Sequence, residues 1–286
     1  MILLPALALL LTSSTAPTSC GFPPYPVGTR THTYIDAARA NRPVNVLLRY
    51  PAQTPGGPDA PALLGCTNLA PVISFGHGFV IPHTSYDYLA PWVARSGFVV
   101  VLPGTESGLS PSHEAFALDL IFAAKAVQSD PFFDGAASSL RGYGGHSMGG
   151  GAALLASAKD RNAGVLILLA PAETNPSSIA AAARVRATTF FEVASRDCIT
   201  PRASTAQLMF DAINLTSKQK FIDEIEGGSH CQFAAANVPC RLAEQSCGGQ
   251  PTVPESIQQN ETRLDVVEFL FAWGFSGDNV FVDDFE

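Results

Sequence analysis

Arg141-Gly-Tyr-Gly-Gly-His-Ser-Met-Gly-Gly-Gly151 holds one serine among closely spaced glycines, and Gly145-His146-Ser147-Met148-Gly149 spells G-x-S-x-G. A short apolar run, Leu140 to Tyr143, leads in as a strand, and an Ala-rich run, Met148 to Ala158, leads out as a helix. This strand–turn–helix context is what a nucleophile elbow needs. The turn leaves no room for flanking side chains, so glycines occupy those places. It lifts the serine hydroxyl above the sheet edge at a helix N-terminus, where free N–H groups and the helix dipole favour negative charge.

Outward from the elbow, apolar runs alternate with helical spacing. Thr31 to Pro51 reads as two strands around a polar turn at Ala38 to Arg42, and Ala52 to Ala70 as a Pro/Gly-rich loop. Val72–Phe75, Phe98–Leu102, Val165–Leu169, Thr188–Val193 and Lys220–Ile225 read as short buried strands. Helices are expected over Ser85–Arg95, Ser112–Val127, Ala203–Ile213 and Arg263–Trp273, with an Ala-rich crossover over Glu173–Arg186. The alternation predicts an α/β fold, a mostly parallel doubly wound sheet with helices on both faces.

Three residues fall just past successive strands: Ser147, Asp197 and His230. Open α/β sheets carry their sites at that edge. A serine hydroxyl needs a base to take its proton, an imidazole suits that task near neutral pH, and a carboxylate fixes the imidazole tautomer. Glu173, Asp211 and Asp223 are rivals for the acid, but Asp211 belongs to a helix and Asp223 to a strand interior. The oxyanion hole needs two backbone N–H groups. Met148 supplies one and Phe79, in His77-Gly78-Phe79 after the Val72–Phe75 strand, the other, with His77 as organiser of that loop.

Composition narrows the classes. In 286 residues, 47% hydrophobic and 15% charged content fits a buried core, and a net charge of -8 disfavours nucleic acid and anionic membrane surfaces. Met1 to Leu11 is apolar but too short to span a bilayer, and small residues follow it. Residues 1–16 are thus expected as a secretory signal, 17–275 as one domain and 276–286 as an acidic aromatic tail. Pro17 stands where a lipoprotein signal at Cys20 wants an aliphatic residue. Export to the extracellular space or periplasm suits six cysteines, none in a metal-type C-x-x-C. Cys240 with Cys247, Cys198 with Cys231 and Cys20 with Cys66 are the expected disulfides, although many other pairings are open. Asn214-Leu-Thr216 and Asn260-Glu-Thr262 match glycosylation acceptors.

These segments resemble the secreted serine esterases of the α/β-hydrolase superfamily that include bacterial cutinases, poly(ethylene terephthalate) hydrolases and chlorophyllase-like enzymes. The resemblance is carried by Ser96-Gly-Phe-Val-Val-Val101, Gly145 to Gly151, Asp197-Cys-Ile-Thr-Pro201 and Glu224-Ile-Glu-Gly-Gly-Ser-His230. Asp36 to Pro43 and Tyr50-Pro51 are similar to the start of dienelactone-hydrolase-like domains. The order Ser…Asp…His is that of α/β-hydrolases. The resemblance implies Ser147, Asp197 and His230 as triad, Phe79 and Met148 as oxyanion donors, and Phe79 as a wall of the acyl pocket. Ala172 stands where polyester hydrolases commonly carry a tryptophan. It further implies a monomer without cofactor or metal, acting on small-molecule, lipid or polymer esters. Two other readings are an acyltransferase using the same acyl-enzyme and a non-catalytic binding protein.

Overall fold

Val27–Asp36 (β1) and Arg42–Pro51 (β2) pair antiparallel from Val27↔Pro51 to Asp36↔Arg42. The connecting turn closes because the Asp36 carboxylate accepts the Ala38 N–H at 3.1 Å and Ala40 and Asn41 take left-handed backbone. The computed structural model describes residues 23–53, 57–63, 70–133, 137–217, 219–235 and 238–272. The expected signal segment and acidic tail, and Cys20 and Cys66, lie outside the described residues.

Ala70–Gly76 (β3), Val99–Pro103 (β4), Ala137–His146 (β5), Ala163–Leu169 (β6), Thr188–Ala194 (β7) and Lys220–Ile225 (β8) complete an 8-stranded sheet of order β1-β2-β4-β3-β5-β6-β7-β8. β2 meets β4 antiparallel, and every pairing from β4 onward is parallel. The sheet is covered on both faces, which is why β4 and β6 are apolar throughout. Successive side chains go to opposite faces. Val72, Val99, Val101, Leu166 and Leu168 join the core under helices His113–Gln128 (α2) and Met148–Lys159 (α3). Ile73, Val100, Leu102, Val165 and Ile167 join the core on the other face. That second face is covered by Ala90–Arg95 (α1) and the long C-terminal helix Glu255–Ala272.

α2 starts where Ser112 accepts the Ala115 N–H at 3.2 Å and buries Phe116, Leu120, Ala123, Ala124 and Val127. Ser178–Ala182 (α4) packs beside α3, and Ala206–Ala212 (α5) beside α4, on the first face. Val238–Cys247 (α6) then precedes Glu255–Ala272 (α7). No helix among the described residues is long and apolar enough to cross a membrane.

Three expectations are corrected. Ser85–Arg95 is not one helix: a 3-10 turn, His83–Tyr86, precedes α1, because Pro91 at the start of α1 cannot continue a helix from behind. The closing helix begins at Glu255 rather than near Arg263, and its first turns carry polar residues that hide it from a hydrophobic pattern. The disulfides also differ: Cys198 bonds Cys247 and Cys231 bonds Cys240. Neither the Cys198–Cys231 nor the Cys240–Cys247 bridge forms. The segment read as a small loop is α6, and two positions seven apart on a helix lie about 10 Å apart, beyond the roughly 7 Å limit for a disulfide.

Candidate active site

The sheet changes direction between β3 and β5: the chain leaves β3 for β4 on one side and returns to β5 on the other. A crevice opens at the carboxyl ends of such strands. The loops after β3 and β5 meet there at backbone contact. A Cβ on Gly149 would lie 2.1 Å from the Gly76 carbonyl oxygen, and one on Gly145 would lie 2.3 Å from the Gly149 carbonyl oxygen. Only glycine allows that approach, which brings His77-Gly78-Phe79 against the first turn of α3.

Ser147 occupies φ 55 and ψ -121, a strained backbone for a residue with a Cβ. The sheet and the next loop hold it there. Its N–H donates to the Leu169 carbonyl at 3.0 Å, and its carbonyl accepts the Ala172 N–H at 2.9 Å and the Gly151 N–H at 3.1 Å. Ala172 therefore sits beside the serine turn, its side chain half-buried. Met148 is the first residue of α3, where a backbone N–H has no partner within the helix. Phe79 keeps 45 % of its surface exposed, although it is a large apolar residue.

Asp197 and His230 close on Ser147 from β7 and β8. His230 Nε2 lies 2.9 Å from Ser147 Oγ, and His230 Nδ1 lies 2.8 Å from Asp197 Oδ2. All three are buried. Asp197 Oδ1 accepts the N–H groups of Ile199 and Thr200, each at 2.8 Å. Thr200 Oγ1 is 2.8 Å from Asp197 Oδ2 and 3.0 Å from His230 Nδ1. Burial pushes the Asp197 carboxyl up, but the charge and ring N–H of His230, with the Thr200 N–H and hydroxyl, outweigh it and hold the group below the ordinary carboxylate range. The two loops are also tied together: Arg196 N–H donates to the Gly228 carbonyl at 3.0 Å and Gly227 N–H to Ser195 Oγ at 2.8 Å. Gly227 has φ 75, which lets the chain turn His230 back over the serine.

The rival acids are elsewhere. Glu173 accepts Ser178 Oγ at 2.6 Å and the Ile179 N–H at 3.0 Å, and so caps α4. Asp211 accepts the Gln207 amide on α5, and Asp223 is exposed on β8. His77 is fully buried, its ring nitrogens 2.8 Å from the Gly78 carbonyl and 2.9 Å from the Thr105 carbonyl, so it ties the β3 loop to the β4 loop. Among the described residues no group of His, Cys, Asp or Glu is arranged to hold a metal ion.

Sequence reasoning missed the residues that hold this arrangement. Tyr86 takes the Gly78 N–H at 2.9 Å, Thr200 braces Asp197, and Glu244 and Gln258 grip the backbone around His230. One signal was available: Cys240, Glu244 and Cys247 have the spacing of one helix face. The site can deliver a deprotonated serine oxygen to a carbonyl carbon beside backbone donors. No curated protein matches the chain. A family model described as PETase, PET hydrolase-like, matches residues 60–246, a span that holds Phe79, Ser147, Asp197 and His230. The chain belongs to the PET hydrolase-like family and is a carboxylic ester hydrolase.

Proposed function

We propose that Ser147, His230 and Asp197 act as a catalytic triad that cleaves esters through an acyl-enzyme. The observation that carries this reading is the continuous hydrogen-bond path from Asp197 Oδ2 through the His230 ring to Ser147 Oγ, with steps of 2.8 and 2.9 Å. Ser147 Oγ attacks the acyl carbonyl while its proton passes to His230 Nε2. The Met148 and Phe79 N–H groups take the developing oxyanion. His230 then returns the proton to the leaving alkoxide, the alcohol departs, and a water activated by the same imidazole releases the acid. Asp197 holds the tautomer with Nδ1–H throughout and stabilises the imidazolium.

The acyl group lies beside Phe79 and Ala172. A methyl group where polyester hydrolases commonly carry tryptophan leaves a wider floor, which suits an ester chain held by shape more than by aromatic stacking. Lipid and polymer esters are the substrate classes we assign. The apolar run Met1 to Leu11 and the disulfides support secretion, with residues 1–16 as the signal and 17–275 as the hydrolase domain, which we assign as a monomer.

Ser147→Ala tests the assignment. Turnover of a short p-nitrophenyl ester should fall by roughly a millionfold, and labelling by a fluorophosphonate should cease. Retained turnover in that variant sinks the reading. A panel of esters from short to long acyl chains, with a polyester film, assigns the substrate class.

A further inference from the structure

α6 is bonded to both loops that carry His230 and Asp197. Cys198, next to Asp197, bonds Cys247 near the end of the helix, and Cys231, next to His230, bonds Cys240 near its start. Between these bridges Glu244 points inward and is buried. Its Oε2 accepts the Ser229 hydroxyl at 3.0 Å and its Oε1 accepts the Cys231 N–H at 3.1 Å. The carboxylate thus grips the chain on both sides of His230. Gln258 of α7 adds a neutral clamp, its amide accepting the Ser229 N–H at 2.8 Å and donating to the Ser229 carbonyl at 2.9 Å. The far end of α6 is seated as tightly: a Cβ on Gly249 would lie 2.5 Å from Cys198 Sγ and 2.6 Å from the Arg196 carbonyl oxygen.

Packing alone does not call for a carboxylate here. Burial raises the Glu244 acid above its ordinary range, while the Cys231 N–H, the Ser229 hydroxyl and His230 oppose that shift and the charge of Asp197 adds to it. A glutamine would still bond both groups, accepting the Cys231 N–H through its oxygen and donating its amide N–H to Ser229 Oγ, so the charge itself is the unexplained feature. The charged groups that bear on it are His230 and Asp197.

We propose that Glu244 is a positioning residue for His230: it holds the neighbours on both sides of the imidazole, Ser229 by its hydroxyl and Cys231 by its backbone N–H, and its negative charge favours the imidazolium that forms during turnover. The proposal rests on the triad reading above. α6 is then a splint shared by the acid and base loops, with Glu244 as its electrostatic contact.

The test compares Glu244→Gln and Glu244→Ala with the parent enzyme on a soluble p-nitrophenyl ester across pH, alongside thermal melts of each protein. Glu244→Ala should lower kcat by about tenfold or more, the rate equivalent of a buried donor left unpaired, with KM little changed. Glu244→Gln keeps the Cys231 N–H bond, reverses the Ser229 bond so that the amide donates to Oγ, and removes the charge. With the carboxylate charge gone, the acid limb of kcat/KM should move down by about half a pH unit. An unshifted limb with parental kcat in Glu244→Gln overturns the proposal, even if Glu244→Ala is inactive. A Glu244→Gln protein that melts below the assay temperature overturns it too, because the charge would then serve the fold. Parent turnover that survives Ser147→Ala is a separate outcome and fails the triad reading instead.

Discussion

The Tyr86 hydroxyl lies 2.9 Å from His146 Nδ1, and the same oxygen takes the Gly78 N–H at 2.9 Å. A hydroxyl has one proton, so Tyr86 accepts from Gly78 and donates to His146. Burial, with the charge of His230 added, lowers the His146 pKa well below the ordinary histidine range, and a backbone contact with His230 only partly offsets this. His146 is therefore neutral, with its ring packed 4.7 Å from that of His230. The loop that carries Phe79 is linked in this way to the ring that faces the serine.

Tyr86→Phe removes one oxygen and leaves the Gly78 N–H buried without a partner, at a cost of about 1–3 kcal/mol. With Phe79 next in sequence, kcat should fall by about tenfold while KM changes little. Steady-state kinetics on a soluble ester check this. A variant that loses only melting temperature and keeps kcat would show that the link serves packing alone.

Asp160 predicts an acid-sensitive component of stability. It accepts two bonds from Arg141, at 2.5 and 3.0 Å, and one from Tyr143 at 2.6 Å. Burial raises its carboxyl, but these partners and the Asn162 N–H overcome that and lower it to about 2. A carboxylate with a depressed folded pKa contributes stability above its unfolded pKa and loses it as pH falls through the folded value. The contribution is on the order of 2 kcal/mol at neutral pH, lost between about pH 4 and pH 2. Denaturant melts of Asp160→Asn should show lower stability at pH 7 and a flatter profile across that window. A steep acid fall retained in the variant contradicts the assignment.

Glu192 has the opposite sign. It is fully buried on β7. Burial raises its carboxyl well above the ordinary range; the Thr262 hydroxyl opposes this, and Asp265 and Glu261 reinforce it. An acid with a raised folded pKa holds its proton on folding, so stability declines as pH climbs above the unfolded pKa. Glu192→Gln should raise the melting temperature, and by more at pH 9 than at pH 5. An equal gain at both pH values means the effect is packing and not ionisation.

The two disulfides should contribute unequally. Cys198–Cys247 closes a loop with a sequence separation of 49, Cys231–Cys240 one of 9. Chain entropy assigns them roughly 4 and roughly 2.5 kcal/mol as ceilings. Replacing the first pair by serines should therefore lower the melting temperature more, while replacing the second, next to His230, should lower kcat more. Non-reducing peptide mapping checks the pairing itself; a Cys198–Cys231 peptide would disprove it.

Much of the fold was legible because its signals are local. The glycines around Ser147, the apolar runs of β4 and β6 and the Ser112 cap of α2 each report their own backbone needs. The polar first half of α7 and the Pro91 break before α1 blurred the hydrophobic pattern, and element boundaries slipped there. At the candidate site, Ser147, Asp197 and His230 could be picked out because each lies just past the end of a strand, β5, β7 and β8. Tyr86 and Thr200 did not, because nothing in a lone tyrosine or threonine says which distant carboxylate, imidazole or N–H it will meet.

By itself, then, the sequence determined the α/β alternation, the elbow turn and the order of the three site residues, since strand length, helix period and turn chemistry act over a few residues. Tertiary structure alone decided the cysteine pairing and the grip of Glu244 and Gln258 on His230. Those depend on α6 being a helix whose one face carries Cys240, Glu244 and Cys247, and on where that face docks. Proximity in sequence to Asp197 and His230 suggested one bridge between their loops. The packed helix between them imposed two.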